Sequence, residues 1–213
     1  MNTEKEQNYQ KECVCTPKRR NVDKLVKVSI LSAIGFILMM VDFPLPIFPV
    51  FLQIDLSDIP ALIGGFALGP IAGVAIELIK NLIHLLASST AGIGEMANFI
   101  VGATFVFVAS TVYKKSRTKK GAIIGVAVGT IVMSIVACVF NYFVLIPLYE
   151  SVLGWPISGI IDMASKVTSL VTNLETLILY SILPFNLLKG IIVSGVVLLI
   201  YKKVKPIVTP KCS

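Results

Sequence analysis

From residue 24 to residue 201 the chain is a series of long apolar runs separated by short polar connections. A helix rises about 1.5 Å per residue, so crossing a ~30 Å hydrocarbon layer takes ~20 apolar residues. Clear runs of that size occupy 24–42, 93–112, about 121–147 and about 178–201. The stretch 56–87 is equally apolar but is broken by Pro60, Gly69-Pro70 and Gly73. It reads as two helices, a short or tilted one ending near Gly69 and another from about Ile71 to Ala87. The pattern therefore predicts six spans. Two of them carry a cation in mid-run: Lys80 in IAGVAIELIKNLIHLL and Lys189 in SILPFNLLKGIIVSGVVLLIY. A charge at that depth costs roughly 2.5–3.5 kcal/mol on insertion scales. Spanning a bilayer gives no reason for either, so the bundle is expected to hold a polar site.

Charge sets the expected orientation. Lys18, Arg19, Arg20, Lys24 and Lys27 precede the first run, YKKSRTKKG covers 113–121, and YKKVKP covers 201–206. By the positive-inside bias all three clusters are cytoplasmic. The other connections carry Asp42, Asp55, Asp58, Glu95, Glu150, Asp162 and Glu175, with Lys166 as their one basic residue. The expected protein is an all-α, multi-pass protein of the cell membrane with both termini cytoplasmic. Residues 1–22 show no signal-peptide layout and are expected to form a disordered cytoplasmic tail. Residues 23–205 form the membrane domain, and 206–213 a second cytoplasmic tail.

Composition agrees and removes alternatives. Of 213 residues 55% are hydrophobic and 15% charged, against about a quarter charged in soluble domains. The net charge of +7 sits in end-clusters and not on a face, which argues against nucleic acid as a partner. Cys13 and Cys15 lie in the tail, Cys138 in the fifth span and Cys212 at the end, and His84 is the single histidine. Neither a metal site nor a disulfide framework is expected from that set. No GxxxxGK[ST] or HExxH occurs, and nothing marks a nucleophile, so no enzyme activity is expected.

The polar residues inside the spans cluster by depth. Glu95 and Asn98 fall in the first turns of the fourth span, Asn141 near the outer end of the fifth, and Asn186 and Lys189 in the first half of the sixth. All lie within about 15 Å of the outer surface. Unpaired amides facing lipid are penalised, so an outward-facing ligand pocket is expected where they converge. Hydrogen bonding between helices is the alternative for any one Asn, and Lys189 has the options of snorkelling or pairing with Glu95. Glu77, Lys80, Asn81 and His84 form one stripe on the third span, in which Glu77 and Lys80 neutralise each other. Two outer connections are suited to covering a pocket. VDFPLPIFPVFLQIDLSD places Pro44, Pro46 and Pro49 beside Phe43, Phe48 and Phe51, either over a flat ring or as an interfacial aromatic belt. The stretch 149–177 is expected to form a second cover with a short helix, with Thr168, Thr172 and Asn173 as polar candidates. Gly65, Gly69 and Gly73, then Gly121, Gly125 and Gly129, and the pair Ser29 and Ala33 give small-residue spacing for close helix packing.

The run DLSDIPALIGGFALGPIAGVAIELIKNLIHLL followed by GIGEMANFIVGATF resembles the substrate-binding (S) components of energy-coupling factor (ECF) vitamin transporters. The ELIKN and GEMANF blocks are similar to those of the riboflavin-specific members. The resemblance covers roughly 24–205. It implies a six-helix bundle, an outward vitamin site built by the first loop and the last three spans, and partners: a transmembrane coupling protein and two cytoplasmic ATPases. Riboflavin would then be the transported ligand, with no cofactor. The resemblance assigns Asn98, Asn141, Asn186 and Lys189 to the ligand's polar edge and Leu45 and Phe48 to its ring, with Glu95, Thr168 and Asn173 nearby. Ser29-xxx-Ala33 stands where the family carries an AxxxA contact with the coupling protein. Other readings are a self-sufficient ion-coupled carrier relaying through Glu77 and Lys80, an S component for another vitamin, and a membrane scaffold without a small ligand.

Overall fold

The computed structural model describes the backbone of residues 17–208 and the side chains of residues 21–200. Cys13, Cys15 and Cys212 lie outside the described residues. The first apolar run forms helix α1 (Pro17–Met39), which begins within the stretch expected as a tail. Its buried positions Leu31, Ser32, Gly35 and Met39 recur at helical spacing, so one face of α1 meets the bundle. The Pro-rich connection that follows is a small antiparallel hairpin, β1 (Phe43–Pro44) and β2 (Gln53–Ile54), with Phe43 opposite Ile54 and Pro44 opposite Gln53.

The break expected in 56–87 is present. Helix α2 (Asp58–Leu68) ends at Gly69, whose φ of 110° is open to glycine alone at little cost, and Pro70 starts α3 (Pro70–His84). Almost every residue of α2 is buried, because the short helix is packed by α1, α3, α4 (Ile93–Ser116) and the last helix at once. Helix α3 continues into a 3-10 turn, Leu85–Ala87.

The two last apolar runs are longer than expected, and each is interrupted by a π-helical turn. Helix α5 (Lys119–Phe140) passes through the π segment Asn141–Leu145 into α6 (Ile146–Leu153). After α7 (Ile157–Ser165), the short α8 (Leu174–Leu177) passes through the π segment Ile178–Ile182 into α9 (Leu183–Val208). The stretch 149–177 thus contains the expected short helix. Among the described residues four helical stretches are long and apolar enough to cross a membrane: Pro70–Ala87, Ile93–Ser116, Lys119–Leu153 and Leu174–Ile200. Helix α2 is apolar but shorter.

The main core gathers Leu31, Leu62, Ile76, Phe105, Val106 and Val193 from α1, α2, α3, α4 and α9. A second apolar cluster, with Ile146, Ile160, Val171 and Leu177, joins α6, α7 and α8, and Phe51 and Leu52 of the hairpin connection pack against it. The two outer covers therefore touch one another. Glycines set the closest approach between α4 and α5: a Cβ on Gly125 would stand 2.6 Å from the Ala109 carbonyl oxygen, and one on Gly129 3.1 Å from that of Phe105. Backbone atoms cannot yield as a side-chain tip does. Gly125→Val is therefore expected to lower stability by roughly 1–3 kcal/mol, read as a drop in thermal unfolding midpoint in detergent. Gly195→Ala, with nothing within 4 Å of the added carbon, should leave the midpoint essentially where it is.

Candidate functional site

Five ionisable side chains meet in the bundle interior: Asp55, Asp58, Glu77, Lys80 and Lys189. Asp55 follows β2 directly, Asp58 opens α2, Glu77 and Lys80 lie one turn apart on α3, and Lys189 lies on α9. Lys80 is 0% exposed, and its ammonium reaches Ser57 Oγ at 2.6 Å, Asp58 Oδ1 at 2.6 Å and Glu77 Oε2 at 2.8 Å. Lys80 thus hydrogen-bonds to Ser57 and Asp58 and forms an ion pair with Glu77, all within the protein. Lys189 donates to Asp55 Oδ2 at 2.9 Å and stands 3.4 Å from Asp58 Oδ2. Asp58 thus bridges the two lysines, one on each oxygen. Its neighbour across α4 is Gly102, where a Cβ would come within 2.7 Å of Glu77 Oε2 and 3.2 Å of Asp58 Oδ1. The glycine leaves the room these carboxylates occupy.

Asn98 on α4 joins the same network. Its Nδ2 donates to Asp55 Oδ2 at 3.3 Å, and its Oδ1 accepts from Asn81 Nδ2 at 3.3 Å, while Asn81 also donates to the Glu77 carbonyl at 2.8 Å. Two sequence candidates, Asn98 and Lys189, therefore end on one oxygen of Asp55. Counting donors, each keeps one side-chain N–H beyond these bonds.

An apolar wall stands beside them. Phe48 and Ile54 of the hairpin connection pack on Phe185 of α9, the Phe48 and Phe185 rings meeting edge-on at 5.4 Å, with Leu45, Leu188 and Ile192 around them. Phe185 is four residues before Lys189, so ring and ammonium share one face of α9. Asn141 is buried at the start of the first π turn and Asn186 in α9 one turn beyond the second, each donating Nδ2 at 2.8 Å to a carbonyl of its own helix, Ala137 and Ile182 respectively. The π turn at 178–182 packs against α5. π turns of this kind are frequent at functional sites, because the extra residue re-aims the side chains that follow.

The remaining candidates are occupied elsewhere. Glu95 does not meet Lys189: it takes His84 Nδ1 at 2.8 Å and Ser88 Oγ at 2.8 Å, tying the end of α3 to the start of α4. A cavity of about 190 Å³ lies there, lined by Leu78, Asn81, Leu82, Glu95, Met96 and Phe99 among others, and Glu95 is the one site candidate that borders it. Asn173 caps α8, its Oδ1 accepting from Thr176 N at 2.8 Å, and the Thr168 backbone caps the end of α7. Ser29 and Ala33 are exposed on α1, with Ser29 Oγ bonded to the Leu25 carbonyl. Sequence reasoning counted Asp55 and Asp58 among the outer-loop acids, whereas both are buried, at 5% and 2% exposure. It also did not select Ser57 or Phe185. The signal for the two aspartates was present: two lysines inside apolar helices require counterions, and DLSD is the acidic segment bordering an apolar helix.

Removing one partner of a buried ion pair strands the rest, at about 3–5 kcal/mol. Lys80→Met is therefore expected to lower the unfolding midpoint sharply or abolish accumulation. Glu77→Gln should fold, because the cluster has one carboxylate more than it has ammonium groups and Glu77 Oε1 has no hydrogen-bond partner among the described residues.

Comparison with known proteins identifies the family. The family described as ECF transporter, substrate-specific component, matches residues 23–201. A riboflavin transporter of Staphylococcus aureus is 40% identical over 180 residues, 84% of this chain and 89% of that protein. A riboflavin transporter of Bacillus subtilis is 40% identical over 188 residues, 87% of this chain and 93% of that protein. A solved S component of a bacterial ECF transporter superposes with a TM-score of 0.70 at 36% identity, covering 89% of this chain and 99% of the other. The chain belongs to the family of substrate-specific components of ECF transporters.

Proposed function

We propose that the chain captures riboflavin at the outer face of the cell membrane and delivers it inward as the substrate-binding subunit of an ATP-driven ECF transporter. The observation that carries this reading is the pairing of an aromatic wall, Phe185 of α9 with Phe48 of the hairpin connection, with the donors of Lys189, on the same face of α9, and Asn98 of α4. A flavin needs such a pair, because it has a flat apolar ring and an edge and side chain rich in acceptors. The two relatives at 40% identity are riboflavin transporters over nearly their whole length, which favours riboflavin over another vitamin.

In this reading Lys189 and Asn98 offer their remaining N–H groups to the ligand, and Asn141 contributes its amide oxygen from the first π turn and Asn186 from the start of α9. Leu45 and Phe48 cover the ring from the hairpin connection, and the stretch with Thr168 and Asn173 closes over the opposite side. Glu95 acts through the α3–α4 junction. The chain crosses the membrane six times, α1 and α2 adding to the four longer stretches, with the basic ends and the 113–121 loop in the cytoplasm. Ser29 and Ala33 face a transmembrane coupling protein, and two cytoplasmic ATPases supply the energy. Binding, loop closure and reorientation of the subunit follow in that order. The chain itself has no catalytic role, and riboflavin is its cargo and not a cofactor. A proton relay through Glu77 and Lys80 finds less support, since both side chains are 0% exposed and Lys80 is held by Ser57, Asp58 and Glu77.

Protein purified from riboflavin-containing cells is expected to be yellow, and the stripped protein should quench riboflavin fluorescence at near one-to-one stoichiometry. A colourless protein silent on titration would sink the vitamin assignment. Asn98→Ala should weaken riboflavin binding at least tenfold, about 1.4 kcal/mol, while the protein remains folded. Uptake into vesicles should require the ATPase partners; uptake by the chain alone, driven by a pH gradient, would favour the ion-coupled carrier.

A further inference from the structure

Asp55 offers one oxygen to Lys189 and Asn98, and what orients that oxygen is not a ligand-facing residue. Its other oxygen, Oδ1, accepts from the Ser57 backbone N–H at 2.9 Å and from the Ser57 hydroxyl. The same hydroxyl lies 2.6 Å from Lys80 Nζ. Lysine has no lone pair to offer, so Ser57 Oγ accepts from Lys80 and its single proton is directed to Asp55. The direction of the chain Lys80, Ser57, Asp55, Lys189 is thereby fixed at every step. Ser57 is 0% exposed and sits between β2, which ends the hairpin connection carrying Leu45 and Phe48, and α2. Lys80 is 0% exposed and held by Ser57, Asp58 and its ion pair with Glu77.

We propose that Ser57 is a positioning residue for ligand capture: its hydroxyl, oriented by Lys80, locks the Asp55 carboxylate so that Oδ2 aims the Lys189 and Asn98 donors. The inference rests on the reading that those donors meet riboflavin. With Oδ1 doubly held, the carboxylate cannot rotate, and the unused N–H of Lys189 and that of Asn98 keep a constant separation and direction. Without the hydroxyl, the backbone N–H alone holds Oδ1, and the carboxylate turns about its own axis. The ammonium and the amide then follow it. The loss falls on the bound complex, hence on the dissociation rate more than on association.

The test is a double-mutant cycle on the full chain in detergent, read by stopped-flow riboflavin fluorescence. Ser57→Ala is expected to raise the dissociation rate about tenfold with little change in the association rate. Asp55→Asn should weaken binding comparably, and Ser57→Ala should add little on top of it, because the hydroxyl acts through that carboxylate. Ser57→Cys keeps the size but has only a weak S–H donor, so it should behave as Ser57→Ala does and serves in its place if the alanine variant does not fold. Wild-type kinetics in these Ser57 variants, or effects of Ser57→Ala and Asp55→Asn that simply multiply, would overturn the inference while leaving the function standing. A wild-type protein that binds no riboflavin would overturn the function, and this inference with it.

Discussion

Two ammonium groups held away from water in an apolar bundle must find counterions or be expelled, and most of the site geometry is a consequence of meeting that demand. Desolvating an ion costs several kcal/mol, and geometry must be good for pairing to offset it. Glu77 on α3 is one counterion of Lys80, and the others come from one short segment, Asp55 to Asp58, which reaches Lys80 on α3 and Lys189 on α9 together. That segment cannot move without taking Asp58 from Lys80 and both carboxylates from Lys189. Because it joins the hairpin to α2, the same bonds fix where the hairpin connection lies and where α2 begins. The burial of α2 along nearly its whole length is the packing side of this arrangement.

The polar network and the apolar wall share that connection. Phe48 and Ile54 pack on Phe185, and Asp55, next in sequence to Ile54, meets Lys189 one turn further along α9. Strand alternation and helix periodicity make this possible: neighbouring residues in an extended segment point apart, while residues four apart on a helix stack. A ligand that requires stacking and hydrogen bonding side by side thus finds both supplied by the same two elements. The second cover, α6 to α8, touches the first through Phe51 and Leu52, so motion of one outer connection is felt by the other.

Much of this was legible along the chain. The apolar runs, the break at Gly69-Pro70, the small-residue packing at Gly125 and Gly129, and the mutual neutralisation of Glu77 and Lys80 are local in sequence, so spacing and residue type reveal them. Asn98 and Lys189 stood out because polar groups in apolar runs are costly. The two π turns left no such mark, since one extra residue per turn changes no composition. Asp55 and Asp58 were misplaced among outer acids because an aspartate beside a turn looks the same whether it meets water or a lysine 134 positions away in sequence. Glu95 and Asn173 also have local partners, His84 and Thr176, which residue type alone does not reveal.

Hydrophobic period, charge asymmetry and the cost of charge in an apolar run act over one helix at a time. From the residues alone they mark the long apolar helices, and they mark the two lysines as functional or structural necessities. Which carboxylate answers which lysine is a question of three-dimensional proximity between α2, α3 and α9. Only the packed bundle decides it, because Coulomb attraction depends on distance through space and not along the chain. The tertiary structure therefore brought Asp55 to Lys189 and Ser57 to Lys80, and gave Glu95 to His84 and not to Lys189.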